Sequence, residues 1–165
     1  MSLRSKISPC LWFDGQAEPA ARFYTSVFKN SKIENISYYS DVGKEHHGQE
    51  SGTVMAVGFQ IEGQTFTALN GGPIFKISEA ISFQIDCETQ EEVDYYWDKL
   101  NEGGDPSCQA CGWLKDQFGV SWQVVPAALL EMMLDPDAAK VRRVTATMME
   151  MKKLDIAALK AAYDG

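Results

Sequence analysis

An internal duplication limits how this chain can fold more than any other feature. The order strand–helix–strand–strand–strand reads twice, with the first strands offset by about 72 residues. Leu11 and Phe13 fall on Phe83 and Ile85, and Trp12 falls on Gln84. The pair Phe23-Tyr24 falls close to Tyr96-Trp97. A unit of this size cannot close a core alone, so the duplication predicts two βαβββ modules packed around shared sheets, an α+β fold. The expected organisation is a first module over residues 1–73, a second over 74–126 and a helical tail over 127–165.

The elements follow from local periodicity. Lys6 to Phe13 predicts a short strand with Leu11 and Phe13 on one face, Cys10 and Trp12 on the other. Pro19 suits a first helical turn, and Ala20, Phe23, Tyr24, Val27 and Phe28 recur at helical spacing. Ile33 to Ser40 alternates as a strand, Asp41 to Gly52 is polar and loop-like, and Val54–Ile61 joins Thr65–Leu69 through Glu62-Gly63. Asn70-Gly71-Gly72-Pro73 is the strongest break. Ala80 to Asp86 then sets Phe83 and Ile85 against Ser82 and Gln84. Thr89 to Glu92 forms a capping box for a helix burying Val93, Tyr96, Trp97 and Leu100, closed by Gly103-Gly104.

A hairpin completes this second cycle. Cys111 to Leu114 leads in, Lys115 to Gly119 turns, and Val120 to Val125 leads out. Alternation sets Ser121 and Gln123 on one face of the last strand and Trp122 and Val124 on the other. The tail predicts a short helix over Ala127 to Leu134, then one started by Asp135-Pro136, then one capped by Asp155. Its Met and Leu positions read as a packing stripe.

Composition narrows function by exclusion. The net charge is −8, which disfavours nucleic acid as a partner. No apolar run approaches the roughly 20 residues of a membrane span, and the N-terminal residues carry no signal-peptide core, so the expectation is a cytoplasmic protein. Cys10, Cys87, Cys108 and Cys111 do not form a disulfide framework. The Cys108-x-x-Cys111 pair precedes a strand, not a helix, and has no second pair to complete a zinc site, so both read as ordinary thiols. His46 and His47 sit in the polar loop and read as solvated. The face alternation and module equivalence nominate Cys10, Trp12, Asn70, Ser82, Gln84, Trp113 and Gln123 as the lining of a ligand pocket, with Asp116 left as a turn residue.

Several stretches bear a family likeness. They are Pro9-Cys10-Leu11-Trp12-Phe13-Asp14-Gly15, Ala68-Leu69-Asn70-Gly71-Gly72-Pro73, Cys111-Gly112-Trp113-Leu114-Lys115-Asp116 and Phe118-Gly119-Val120-Ser121-Trp122-Gln123-Val124-Val125-Pro126, with Met151-Lys152-Lys153-Leu154-Asp155-Ile156 in the tail. Together they resemble the vicinal oxygen chelate superfamily, home of glyoxalase I and extradiol dioxygenases. Within it they resemble the PhnB-like branch, often labelled 3-demethylubiquinone 3-methyltransferase-like.

The resemblance implies paired βαβββ modules in a curved mixed sheet. In metal-using members it also implies His, Gln or Glu ligands on the first and last strands. Those positions fall here on Ser8 or Pro9, Ala80, Asn70 or Ala68, and Gln123. Only Gln123 is a residue type the superfamily uses. No glycine-rich βαβ turn for S-adenosylmethionine is present. The reading is a metal-independent small-molecule-binding protein, or an enzyme acting on an organic oxyanion or quinone-like ligand, with no bound cofactor and acting as a homodimer. Its rivals are a divalent-metal lyase, isomerase or dioxygenase of the same superfamily and a protein-interaction module built on the Met-rich tail.

Overall fold

The computed structural model describes residues 6–165, and residues 1–5 of the expected first module lie outside them. Two compact units divide after Ile77. The first contains β1 (Cys10–Phe13), α1 (Ala17–Val27), β2 (Ser31–Tyr38), the one-turn α2 (Lys44–His47), β3 (Val54–Ile61) and β4 (Gln64–Asn70). Its sheet runs β1-β4-β3-β2, with β1 and β4 parallel and the other pairs antiparallel. Glu62 and Gly63 turn the β3–β4 hairpin with φ of 45° and 83°, the pair of left-handed residues a two-residue hairpin requires. One sheet face, from Leu11, Phe13, Val57, Phe59, Phe66 and Ala68, buries the inner face of α1 at Ala17, Ala20, Ala21, Tyr24 and Val27.

The second unit contains β5 (Ser82–Cys87), α3 (Gln90–Leu100), β6 (Trp113–Lys115), β7 (Ser121–Pro126), α4 (Ala127–Met133), α5 (Ala138–Met149) and α6 (Ile156–Asp164). Its sheet has three strands, β5-β7-β6, where the duplication predicts four. Pro106–Cys108 forms a single 3-10 turn at the missing position. Asp105 accepts from the Ser107 amide, and Pro106 has no N–H to give a ladder, so this stretch turns instead of extending. The second module is therefore βαββ.

Two further expectations are corrected in this unit. Cys111 to Leu114 is not a continuous strand. Cys111 (φ 50°) and Gly112 (φ 84°) form a left-handed turn whose amides donate to the Met151 and Lys152 carbonyls. The second tail helix is capped by Asp137, whose carboxylate accepts from the Ala139 amide, while Asp135 accepts from the Asp137 amide one turn earlier. Asp155 caps α6 as its sequence predicts, accepting from Ala158.

The tail is integral to the second unit. Leu129, Met132, Val144, Leu154 and Leu159 form a buried cluster, flanked by Met133, Met148 and Met151. Gln90 holds the returning segment at both ends: its amide donates to the Leu154 carbonyl and accepts from the Ile156 amide. Met132, Met133, Met148 and Met151 therefore pack internally, as their spacing predicts, whereas Met149, Leu130 and Leu134 of the same tail are exposed. Asp116 is a turn residue as expected. It is 3% exposed and its carboxylate accepts from the Phe118 and Val120 amides and the Trp122 indole.

Candidate functional site

In the second unit the open sheet face is fixed by strand register. Gln84, Gln123 and Trp113 lie in one row across β5, β7 and β6, and Ser82, Ser121 and Lys115 in the next. Paired residues project to the same side, so these six share one face. The opposite face carries Ile85, Val124, Leu114 and Trp122, covered by Val93, Trp97 and Leu100 of α3. All four residues nominated in this half, Ser82, Gln84, Trp113 and Gln123, are thus brought together.

Their polar groups are linked. The Gln84 amide donates to the Gln123 oxygen at 3.4 Å, and the Gln123 amide donates to the Ser82 hydroxyl at 2.8 Å. Gln84 is exposed, while Gln123, Ser82 and Trp113 are half-buried. Lys115 pairs with Glu79 through its ammonium, which raises the Lys115 pKa and lowers that of Glu79. Sequence reasoning missed Lys115, placing it in the turn; its strand position was hidden because β6 is only three residues long. Ser121 is 1% exposed, and its buried hydroxyl has no hydrogen-bond partner among the described residues.

In the first unit the nominated residues separate. Cys10 pairs with Thr67 and Trp12 with Leu69, so these face one side. Asn70 pairs with Phe13 and faces α1 instead. Its side-chain oxygen accepts from the Ala17 amide at 2.8 Å and its nitrogen donates to the Val54 carbonyl at 3.0 Å. Asn70 therefore stands in for the missing cap of α1, whose N-cap Gln16 makes no side-chain bond. Asn70 therefore does not line the face that carries Cys10 and Trp12. The reason is register: the residue of β4 equivalent to Gln123 is Leu69, one position earlier.

Trp12 braces the loop after β4. Its indole donates to the Gly72 carbonyl at 2.8 Å, and its ring meets Phe75 edge-on at 4.9 Å. A side chain at Gly71 would sit 2.1 Å from the ring. Cys10 is the exposed end of β1, its thiol pKa raised by partial desolvation. His47 stacks beside Tyr39 at 4.5 Å, with Nδ1 accepting from the Gln49 amide. His46 is solvated. Cys108 and Cys111 are free thiols, and the Cys111 sulfur approaches Met149 Sδ at 3.8 Å.

The superfamily's metal positions do not fit an ion here. Ser8, Pro9 and Ala80 precede their strands, and Ala68 and Asn70 face α1. Of these positions only Gln123 presents a side-chain oxygen to the open face, and that oxygen already accepts from Gln84. No group of three His, Cys, Asp or Glu side chains converges among the described residues. Three donors of suitable type are the usual minimum for a catalytic transition metal. A dinucleotide- or S-adenosylmethionine-type cradle fits no better. The first amide of α1 is taken by Asn70, and Thr89 accepts from the Glu92 amide in α3. No helix among the described residues is long and apolar enough to cross a membrane.

Known proteins give a consistent placement. The family model described as 3-demethylubiquinone-9 3-methyltransferase matches residues 5–125. The Bacillus cereus PhnB protein is 36% identical, with 74% of this chain and 100% of that chain covered at a TM-score of 0.64. Protein PA1353 from Pseudomonas aeruginosa is 22% identical over 76% of this chain and 98% of its own, at 0.56. The fosfomycin resistance protein FosX from Listeria monocytogenes is 14% identical over 79% and 97%, at 0.52, and shares the fold alone. No protein of curated function matches the sequence. With its two mixed sheets and this match, the chain belongs to the 3-demethylubiquinone-9 3-methyltransferase family, a PhnB-like branch of the vicinal oxygen chelate fold.

Proposed function

We propose that this PhnB-like chain binds a small organic molecule on the open face of its second sheet and does so without a metal ion. The observation that carries the reading is the row Gln84–Gln123–Trp113 beside Ser82, in which three adjacent strands present amides, a hydroxyl and an indole on one face. A few polar groups among aromatic surface is the usual make-up of a small-molecule site. The donor set argues against the metal-lyase rival. One amide at each of the α1 and α3 N-termini is already taken, by Asn70 and by Thr89, which argues against a methyl donor held in the common manner.

The protein works as a homodimer in this proposal, checked by its mass in solution. The functional test is a thermal-stability screen against metabolites and S-adenosylmethionine, because a ligand that binds only the folded state raises its stability. A hit whose shift disappears in Gln123→Ala supports the site. Stoichiometric bound metal in the purified protein, lost in Gln123→Ala, overturns the metal-free reading.

A further inference from the structure

We propose that the ligand of this face carries an anionic oxygen, and that Lys115 and Ser121 receive it in place of the Glu79 carboxylate. The inference rests on the small-molecule reading above and adds the chemistry of the ligand.

Two observations meet at one row of the sheet. Ser121, on the central strand β7, lies between Ser82 and Lys115. Its hydroxyl is buried without a partner among the described residues, an arrangement that folded proteins rarely keep without use. Directly across from it, Lys115 is the only cationic residue in the two rows of this face, on a chain of net charge −8. The Lys115 side chain is 23% exposed and its ammonium is held by Glu79, whose side chain is 53% exposed. Glu79 precedes β5 and belongs to no helix or strand.

An exposed carboxylate on such a segment is a partner that another carboxylate can replace. An incoming anion would take the ammonium from Glu79 and accept from the Ser121 hydroxyl. The adjacent row then offers the Gln123 amide and the flat Trp113 ring to the rest of the molecule. Neutral donors and one cation favour a carboxylate, enolate or phenolate over a neutral carbonyl, because charge-assisted hydrogen bonds are the stronger ones. No bond is made or broken in this step; it is binding by exchange of one ion pair for another.

The test measures binding of benzoate and 4-hydroxybenzoate against benzamide and 4-hydroxybenzamide, by thermal shift and calorimetry, on the full chain. The anions are expected to bind and the amides to bind at least about tenfold more weakly. Lys115→Met should erase that preference, Ser121→Ala should weaken both anions, and Glu79→Gln should tighten them by removing the competitor. Glu79→Gln keeps the fold's shape and gains affinity, a result that misfolding cannot imitate. Equal binding of anions and amides, with Glu79→Gln indifferent, overturns the anion site and leaves the small-molecule reading standing. Failure of all four probes, together with no hit in the metabolite screen, overturns both.

Discussion

Replacing Gly71 by alanine should cost the first unit about 3 kcal/mol, although Gly71 is not at a left-handed φ. The cause is close approach. The new Cβ would lie 2.1, 2.3 and 2.4 Å from three atoms of the Trp12 ring, well inside contact distance. The ring cannot simply slide, because its indole is bonded to the Gly72 carbonyl and its edge is against Phe75. Rotating it away loses one hydrogen bond, about 1 kcal/mol. It also loses an aromatic contact worth about 1 kcal/mol and leaves a strained rotamer at about 1 kcal/mol.

For a chain of this length that sum corresponds to a fall in Tm of roughly 6–12 °C. Urea unfolding followed by tryptophan fluorescence gives the free energy directly. The decisive comparison is Gly71→Ala in a Trp12→Ala background, where the clash is gone. There the alanine should be neutral or stabilise by up to about 1 kcal/mol, since it restricts the unfolded chain. A Gly71→Ala variant within about 0.5 kcal/mol of the parent, or an equal cost in both backgrounds, would refute the close-approach argument.

Other outcomes follow from the same structure. Asp116→Asn replaces an acceptor of three hydrogen bonds by a group that presents N–H to one donor, and should destabilise the hairpin by about 2–3 kcal/mol in urea unfolding. The Cys87 thiol, fully buried, has its pKa pushed up to about 12, first by desolvation and then by Glu92 and Asp86. It should therefore resist a thiol-reactive dye at pH 8 and react only when urea opens the fold. The neutral thiol's contribution to stability is present below its ordinary value of 9.0 and is lost as pH rises through about 12. Asp94 and Asp135 are held below their ordinary value of 3.8 by hydrogen bonds from Lys153 and Tyr163, and Glu79 below 4.5 by Lys115. The stability they give is present above those values and lost as pH falls below them, so the acid midpoint of unfolding should move toward neutral pH in Lys153→Met.

The sequence by itself determined the elements and the faces of individual strands. Period-two alternation is local, so Ser82 and Gln84 on β5, and Ser121 and Gln123 on β7, were legible on their shared faces before any fold was known. The caps at Thr89 and Asp155 were legible for the same reason, being contacts within one turn. What only the tertiary structure decided is how faces from different strands meet. Parallel pairing sets Trp12 beside Leu69 and turns Asn70 toward α1, a one-residue difference that moves a side chain to the other side of the sheet. Pairing likewise drew Lys115 out of an apparent turn and set it beside Ser121, where a three-residue strand gave no periodic signal. Local patterns record which residues share a strand face; the register of distant strands, fixed by hydrogen bonds between segments far apart in the chain, determines which of them share a site.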